Sequence, residues 1–286
     1  MHRKYFLIPL LAFSIPNAFG IAFIFDYTYD TNNFFTAERR EVVNLAAQNF
    51  SELTINRSAI TPSGPNTWSW QVPNPSNYNQ TITITDPTIG AQEIRVYLGA
   101  QTFAESTLGQ GGNVGYNASG TSEWIDLLTS TNTAQAYKPF GGNLSLNLSS
   151  NWYSGTDPNI TPGAYDMYSI VSHELGHVLG FGLYNTVDAW DANVNNLNHT
   201  FTGSTAAIAY GGDLPLTTDN NHVASGTTFE GQTMIMVPGI PAGTRRHWTI
   251  PELETLVDIG YVAIPEPSAL LLLLLGIPLL RRGKTI

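Results

Sequence analysis

Two rhythms of apolar spacing run along the first hundred residues. "IAFIFDYTY" (21–29) has the alternation of a strand, and "TITIT" (81–85) and "EIRVYLGA" (93–100) read as strands too. Between them, "TAERREVVNLAAQNFSELT" (36–54) sets Val42, Val43, Ala46, Ala47, Phe50 and Leu53 at helical spacing. That spacing predicts an amphipathic helix with Thr36 or Thr54 near its limits. "GGNLSLNLSSNW" (141–152) puts Leu144, Leu146 and Leu148 on one face, the pattern of a half-buried strand. The glycine-rich "GQGGNVGYNASG" (109–120) lacks the strand-to-helix setting of a dinucleotide loop and reads as a plain loop. There is no internal repeat and no linker-like break, so one domain over residues 21–263 is the simplest organisation.

"ITPGAYDMYSIVSHELGHVLGFG" (160–182) predicts a second helix, its start marked by Pro162-Gly163 and capped by Asp166. It carries His-Glu-x-x-His. On a helix His173 and His177 share one face, so both imidazoles can reach one metal ion at about 2.0–2.1 Å. Glu174 lies beside His173 and can reach a water on that ion as a general base. Gly180 then supplies a residue able to take positive φ and turn the chain. Two imidazoles alone leave the site incomplete, and the third ligand is open among His222, His199, Asp188 and Asp191.

Charged residues make up only 12% of the chain, and its formal net charge is −10. Five of the twelve basic residues (Arg3, Lys4, Arg281, Arg282 and Lys284) sit at the termini, so the middle is more acidic still. Nucleic acid is excluded as a partner, because phosphate binding needs basic patches. Without cysteine there are no disulfides and no thiolate ligands. "MHRKYFLIPLLAFSIPNAFG" (1–20) reads as a secretory signal peptide, which puts the histidine motif outside the cytoplasm. "IPEPSALLLLLLGIPLLRRGKTI" (264–286) combines Pro-Glu-Pro, a short apolar stretch and a basic stop. The apolar stretch falls well short of the ~20 residues of a bilayer span, which favours transient over permanent membrane association.

Two resemblances sharpen these expectations. "HELGHVLGF" resembles the start of the extended zinc motif of the metzincin clan, where a third His normally follows the glycine by three residues; Leu183 departs from it. The leishmanolysin-like branch supplies that His from far downstream, then continues into a methionine turn and a closing helix. "NNHVASGTTFEGQTMIMVPGIPAGTRRHWTIPELETLVDIGY" (220–261) is similar in order. The resemblance implies His222 as the distal ligand and Met236 as the structural methionine of the turn Met236-Val237-Pro238, with Met234 the alternative two residues earlier. "ELETLVDIGY" would be the closing helix, and His247 would fall after the turn, where no ligand is expected. The fold implied is α+β: a metzincin-like zincin with a twisted mixed β-sheet, an active-site helix, a Met-turn and a C-terminal helix. The activity implied is that of a secreted zinc-dependent endopeptidase with one catalytic Zn2+ on His173, His177 and His222 and Glu174 as base. Its protein or peptide substrate would lie along the edge of the strand around Gly142 to Leu148.

The tail resembles the PEP-CTERM signal of certain Gram-negative bacteria, which implies an exosortase-type sorting enzyme as partner and a secreted or cell-envelope location. The pair Arg245-Arg246 could neutralise Glu252 and Glu254, bind a substrate carboxylate, or form an ordinary surface pair. Calcium is conceivable in the Asp/Asn-rich segments, but no calcium loop is recognisable. Two other readings stay open: a zinc hydrolase of envelope glycan or amide, and an inactive matrix or adhesion protein on the same scaffold.

Overall fold

The computed structural model describes residues 20–103 and 106–264; the expected signal peptide, apart from Gly20, and the sorting segment from Pro265 lie outside the described residues. The alternating N-terminal run forms β1 (Ala22–Asp26). The next segment forms α1 (Ala37–Ala47), whose cap Thr36 accepts from the Arg39 N–H and whose buried face is Val42, Val43 and Ala46. This helix is shorter than its periodicity suggests. After Ala47 the chain tightens into one 3-10 turn, and Leu53 opens β2 (Leu53–Ile55), burying its side chain from a strand instead.

A hairpin of β3 (Thr67–Asn74) and β4 (Asn77–Thr85) follows, then β5 (Glu93–Gln101). The glycine-rich segment is not a loop: it supplies β6 (Gly109–Asn113) and β7 (Gly115–Ser119). Next come α2 (Ser122–Thr129), the short hairpin of β8 (Asn132–Thr133) and β9 (Ala136–Tyr137), β10 (Gly141–Asn147), and α3 (Met167–Val178). The larger helices of the C-terminal part are α4 (Ser204–Tyr210) and α5 (Ile250–Asp258).

The fold is mixed α+β, organised on a twisted mixed sheet in the order β1-β5-β10-β6. β5 runs parallel to β1 and β10, while β6 is antiparallel to β10 and forms the edge. β10 is therefore an inner strand, and all seven of its residues are buried. The expectation of a half-buried strand misjudged its polar face. Asn143, Ser145 and Asn147 are covered by the β3–β4 turn and by the segment before β6, and their side chains are hydrogen-bonded there. Ser145 Oγ donates to the Pro75 carbonyl at 2.6 Å, and Asn147 Nδ2 to the Thr107 carbonyl at 2.8 Å.

The glycines of β6 have a packing cause. A Cβ on Gly111 would lie 2.4 Å from the Glu174 carbonyl oxygen, and one on Gly109 would lie 3.1 Å from Glu174 and Ile170. The edge strand lies directly on α3, which leaves no room for the apolar alternation that would have announced a strand. One hydrophobic cluster fills the space between the main sheet, α1, α3 and α5; a smaller one, built on Trp68, Trp70, Trp124 and Phe140, lies under the sheet β4-β3-β7.

The entry to α3 is clamped. Asp166 caps it through the Ser169 N–H, and Arg245 grips the same carboxylate with contacts of 2.7 and 3.0 Å. The Arg245 and Asp166 side chains are 7% and 0% exposed. Arg246 is also buried and donates to the Met234 and Gly239 carbonyls. Neither is a surface feature: Arg245 pairs with Asp166, while Arg246, on which the Glu252 charge acts, holds the Met234 and Gly239 carbonyls, so the pair fixes the C-terminal segment to the helix. No helix among the described residues is long and apolar enough to cross a membrane.

Gly111→Ala is expected to destabilise by about 1–3 kcal/mol, seen as a loss of about 2–10 °C in Tm, because backbone would have to move. Gly112→Ala, where a Cβ meets nothing within 4 Å, is the control and should stay within about 0.5 kcal/mol of wild type. Thermal denaturation of the two variants checks the pair; equal losses would contradict the close strand-to-helix packing.

Candidate metal centre

His173 and His177 stand one turn apart on α3 with Glu174 between them, and each of the three is only 7% exposed. The helix ends at Val178 with Leu179 as its C-cap, and Gly180 (φ +102°) reverses the chain sharply, a conformation L side chains rarely adopt. That reversal brings the Phe181 carbonyl back to His177 Nδ1 at 2.8 Å. His173 Nδ1 contacts the Ile235 carbonyl, also at 2.8 Å. A carbonyl can only accept, so both rings carry their proton on Nδ1 and turn an unprotonated Nε2 inward.

Those two Nε2 atoms lie 3.1 Å apart with no hydrogen to share between them. Two lone pairs facing each other in a buried site repel unless a cation sits between them. Ligands at 2.0–2.1 Å on a tetrahedral ion would be about 3.3 Å apart, close to this separation. The residues therefore fit a divalent ion.

His222 completes the set. Its ring centroid is 5.3 Å from that of His173 and 4.9 Å from that of His177. One ring nitrogen from each of the three lies within 4.8 Å of the others, close enough to hold one metal ion. Short-range pairing brings it there: the Val223 N–H donates to the Met236 carbonyl, and the His222 carbonyl accepts from the Thr217 N–H. The other candidates lie elsewhere. His199 Nδ1 meets Asn220 Oδ1 at 3.0 Å, Asp191 accepts from the Asn185 N–H, and Asp188 caps onto Asn132 through its own N–H. His247 faces the Tyr168 hydroxyl.

Met236 is buried against α3 at Gly176. A Cβ on Gly176 would lie 2.9 Å from its sulfur, so the glycine between the two histidines is the slot that admits it. Met234 is buried as well, but its carbonyl is taken by Arg246. The Met236 N–H donates to Glu252 Oε1 at 2.7 Å, and Glu252 Oε2 accepts from both N–H and hydroxyl of Thr249 at the start of α5. One buried carboxylate thus joins the methionine segment to the closing helix, and burial pushes it up to about 7.

Burial, reinforced by the neighbouring rings, holds His173 well below the ordinary imidazole value and lowers His177 to about 4. Burial also lowers His222, against the opposing charge of Asp219. All three rings are therefore neutral at pH 7 and ready as ligands. Burial raises Glu174 to about 8, opposed by a hydrogen bond from the Gly111 N–H; a bound cation would favour its ionised form.

The three histidines and Glu174 open onto a cleft of about 1190 Å³, walled by β6 on one side and by Leu183, Tyr184 and the segment from Val237 to Ala242 on the other. The strand edge at this cleft is Gly109–Asn113, not Gly142 to Leu148, because β10 is paired on both sides. Tyr78 and Asn143 also reach the cleft, and sequence reading missed both. They lie 65 positions apart, and nothing in their spacing joins them. No family model matches the chain, and no curated protein matches it.

His222→Ala should weaken zinc binding by about a hundredfold or more, whereas His199→Ala should change it by less than about threefold. Competition with a chromophoric chelator measures both; the reverse ranking would move the third ligand to His199.

Proposed function

We propose that the chain is a zinc-dependent endopeptidase of the metzincin type, with the distal third histidine of the leishmanolysin-like branch. The observation that carries this reading is the meeting of three neutral imidazoles, two with their inward nitrogens bare, beside a buried glutamate on an open cleft. An all-nitrogen set of three, with a position left for water or substrate, suits catalytic zinc. Bound there, zinc would acidify a water and polarise a carbonyl.

The protein's own contribution rests on Glu174. Its carboxylate takes the proton of the attacking water and hands it to the leaving nitrogen as the peptide bond breaks. Burial raises this group and a bound cation would lower it, and between these opposed influences it must accept and then release the same proton. β6 favours a peptide over a glycan as substrate: an extended chain can pair with an antiparallel edge through main-chain hydrogen bonds, which a sugar does not offer. Met236 and Glu252 act at a distance from the chemistry, keeping α5 and the floor of the site in register. Export by the signal peptide and sorting through the PEP-CTERM tail complete the proposal, on the sequence of the termini alone.

Glu174→Gln should keep its zinc and lose about 10²–10⁴-fold in peptide hydrolysis. Metal content and a chelator-sensitive casein digest, run on the same preparation, test this; undiminished cleavage by the variant would remove Glu174 from the mechanism.

A further inference from the structure

β6 has an unusual problem for a working edge. Three of its five residues are glycine, so it has few side chains with which to anchor itself, and ordering glycine costs more backbone entropy than ordering any other residue. The glycines cannot be exchanged for anchoring residues where α3 lies against them. Among the described residues, only one side of the strand is paired, with β10.

The structure places one phenol where it can compensate. Tyr78, from β4, lies against the Phe103 ring at 5.8 Å, and its backbone N–H donates to Gln101 Oε1. Its hydroxyl receives a hydrogen bond from Asn143 Nδ2 at 2.6 Å and lies 3.1 Å from the Gln110 carbonyl, in the middle of β6. The directions are forced: an amide nitrogen can only donate and a carbonyl can only accept, so the phenol proton points at Gln110. Burial and the nearby Glu174 charge push the phenol well above its ordinary value, so it keeps that proton at any working pH. The chain Asn143–Tyr78–Gln110 ties the edge strand to the inner strand and to the β3–β4 hairpin together.

We propose that Tyr78 is a positioning residue: its hydroxyl clamps the Gln110 carbonyl and sets the register in which Gly109–Asn113 receives an extended substrate. The inference rests on the peptidase reading and deepens it, since it makes main-chain pairing along β6 the source of substrate affinity. Tyr78 stands apart from the transferring atoms, so it should govern binding and leave the chemical step alone.

Tyr78→Phe keeps the ring and removes only the clamp. With a peptide of six or more residues, KM should rise about three- to tenfold while kcat stays within about twofold. Zinc affinity should be unchanged, and hydrogen exchange across residues 109–113 should speed up by a similar factor. An active wild type whose KM or exchange is unaltered by Tyr78→Phe overturns this inference alone. So does a fall in kcat matching the fall in kcat/KM, which would mean a role in the chemical step. A zinc-loaded wild type that cleaves no peptide overturns the peptidase reading and this inference with it.

Discussion

Two backbone carbonyls and the lone pairs they leave behind are the constraint on which this molecule turns. Phe181 and Ile235 each occupy the outer nitrogen of an imidazole, so His177 and His173 must face each other with bare inner nitrogens 3.1 Å apart. Such a pair is unfavourable in a buried site without a positive charge between its members. Much of the surrounding structure maintains that arrangement. Gly180 reverses the chain so that Phe181 can reach back, Gly176 admits Met236 and Trp248 against α3, and Glu252 ties the methionine segment to α5. The same segment delivers the Ile235 carbonyl and, by pairing Met236 with Val223, helps to seat His222.

A second constraint is spatial. α3 and β6 approach so closely that Gly111 has no room for a side chain beside the Glu174 carbonyl. This proximity strips the strand of side-chain anchors. The β3–β4 hairpin resolves the conflict from the far face of the sheet. It buries the polar residues of β10 under the Pro75 carbonyl and the Tyr78 phenol, and its own stability comes from the tryptophan-rich second cluster. That cluster thus bears on one wall of the cleft without touching the histidines.

The parts legible in the sequence were those whose cause is local. Helical spacing marked His173, Glu174 and His177, the cap at Asp166 and the turn at Gly180, because each depends on residues within one or two turns. Spacing alone left His222 one candidate among four, since a loop about forty-five residues downstream leaves no periodic trace; the resemblance singled it out, and the fold brings it to the helix. β6 was misread because strand patterning records side chains in a core, and here the neighbour is helix backbone, for which glycine is the answer and also the usual mark of a loop. β10 looked half-buried because its polar residues bond to covering backbone instead of water. For Arg245 and Arg246 the sequence left a surface pair, a counter-charge for Glu252 and Glu254 and a substrate contact open; their partners, Asp166 and the Met234 carbonyl, lie 79 and 12 positions away.

X-ray absorption at the zinc edge, on zinc-loaded protein, examines the three-histidine centre without reference to any substrate. Three imidazole nitrogens and one oxygen are expected, all at about 2.0–2.1 Å. A shell with only two imidazoles, or one filled by carboxylates in place of His222, would contradict that centre.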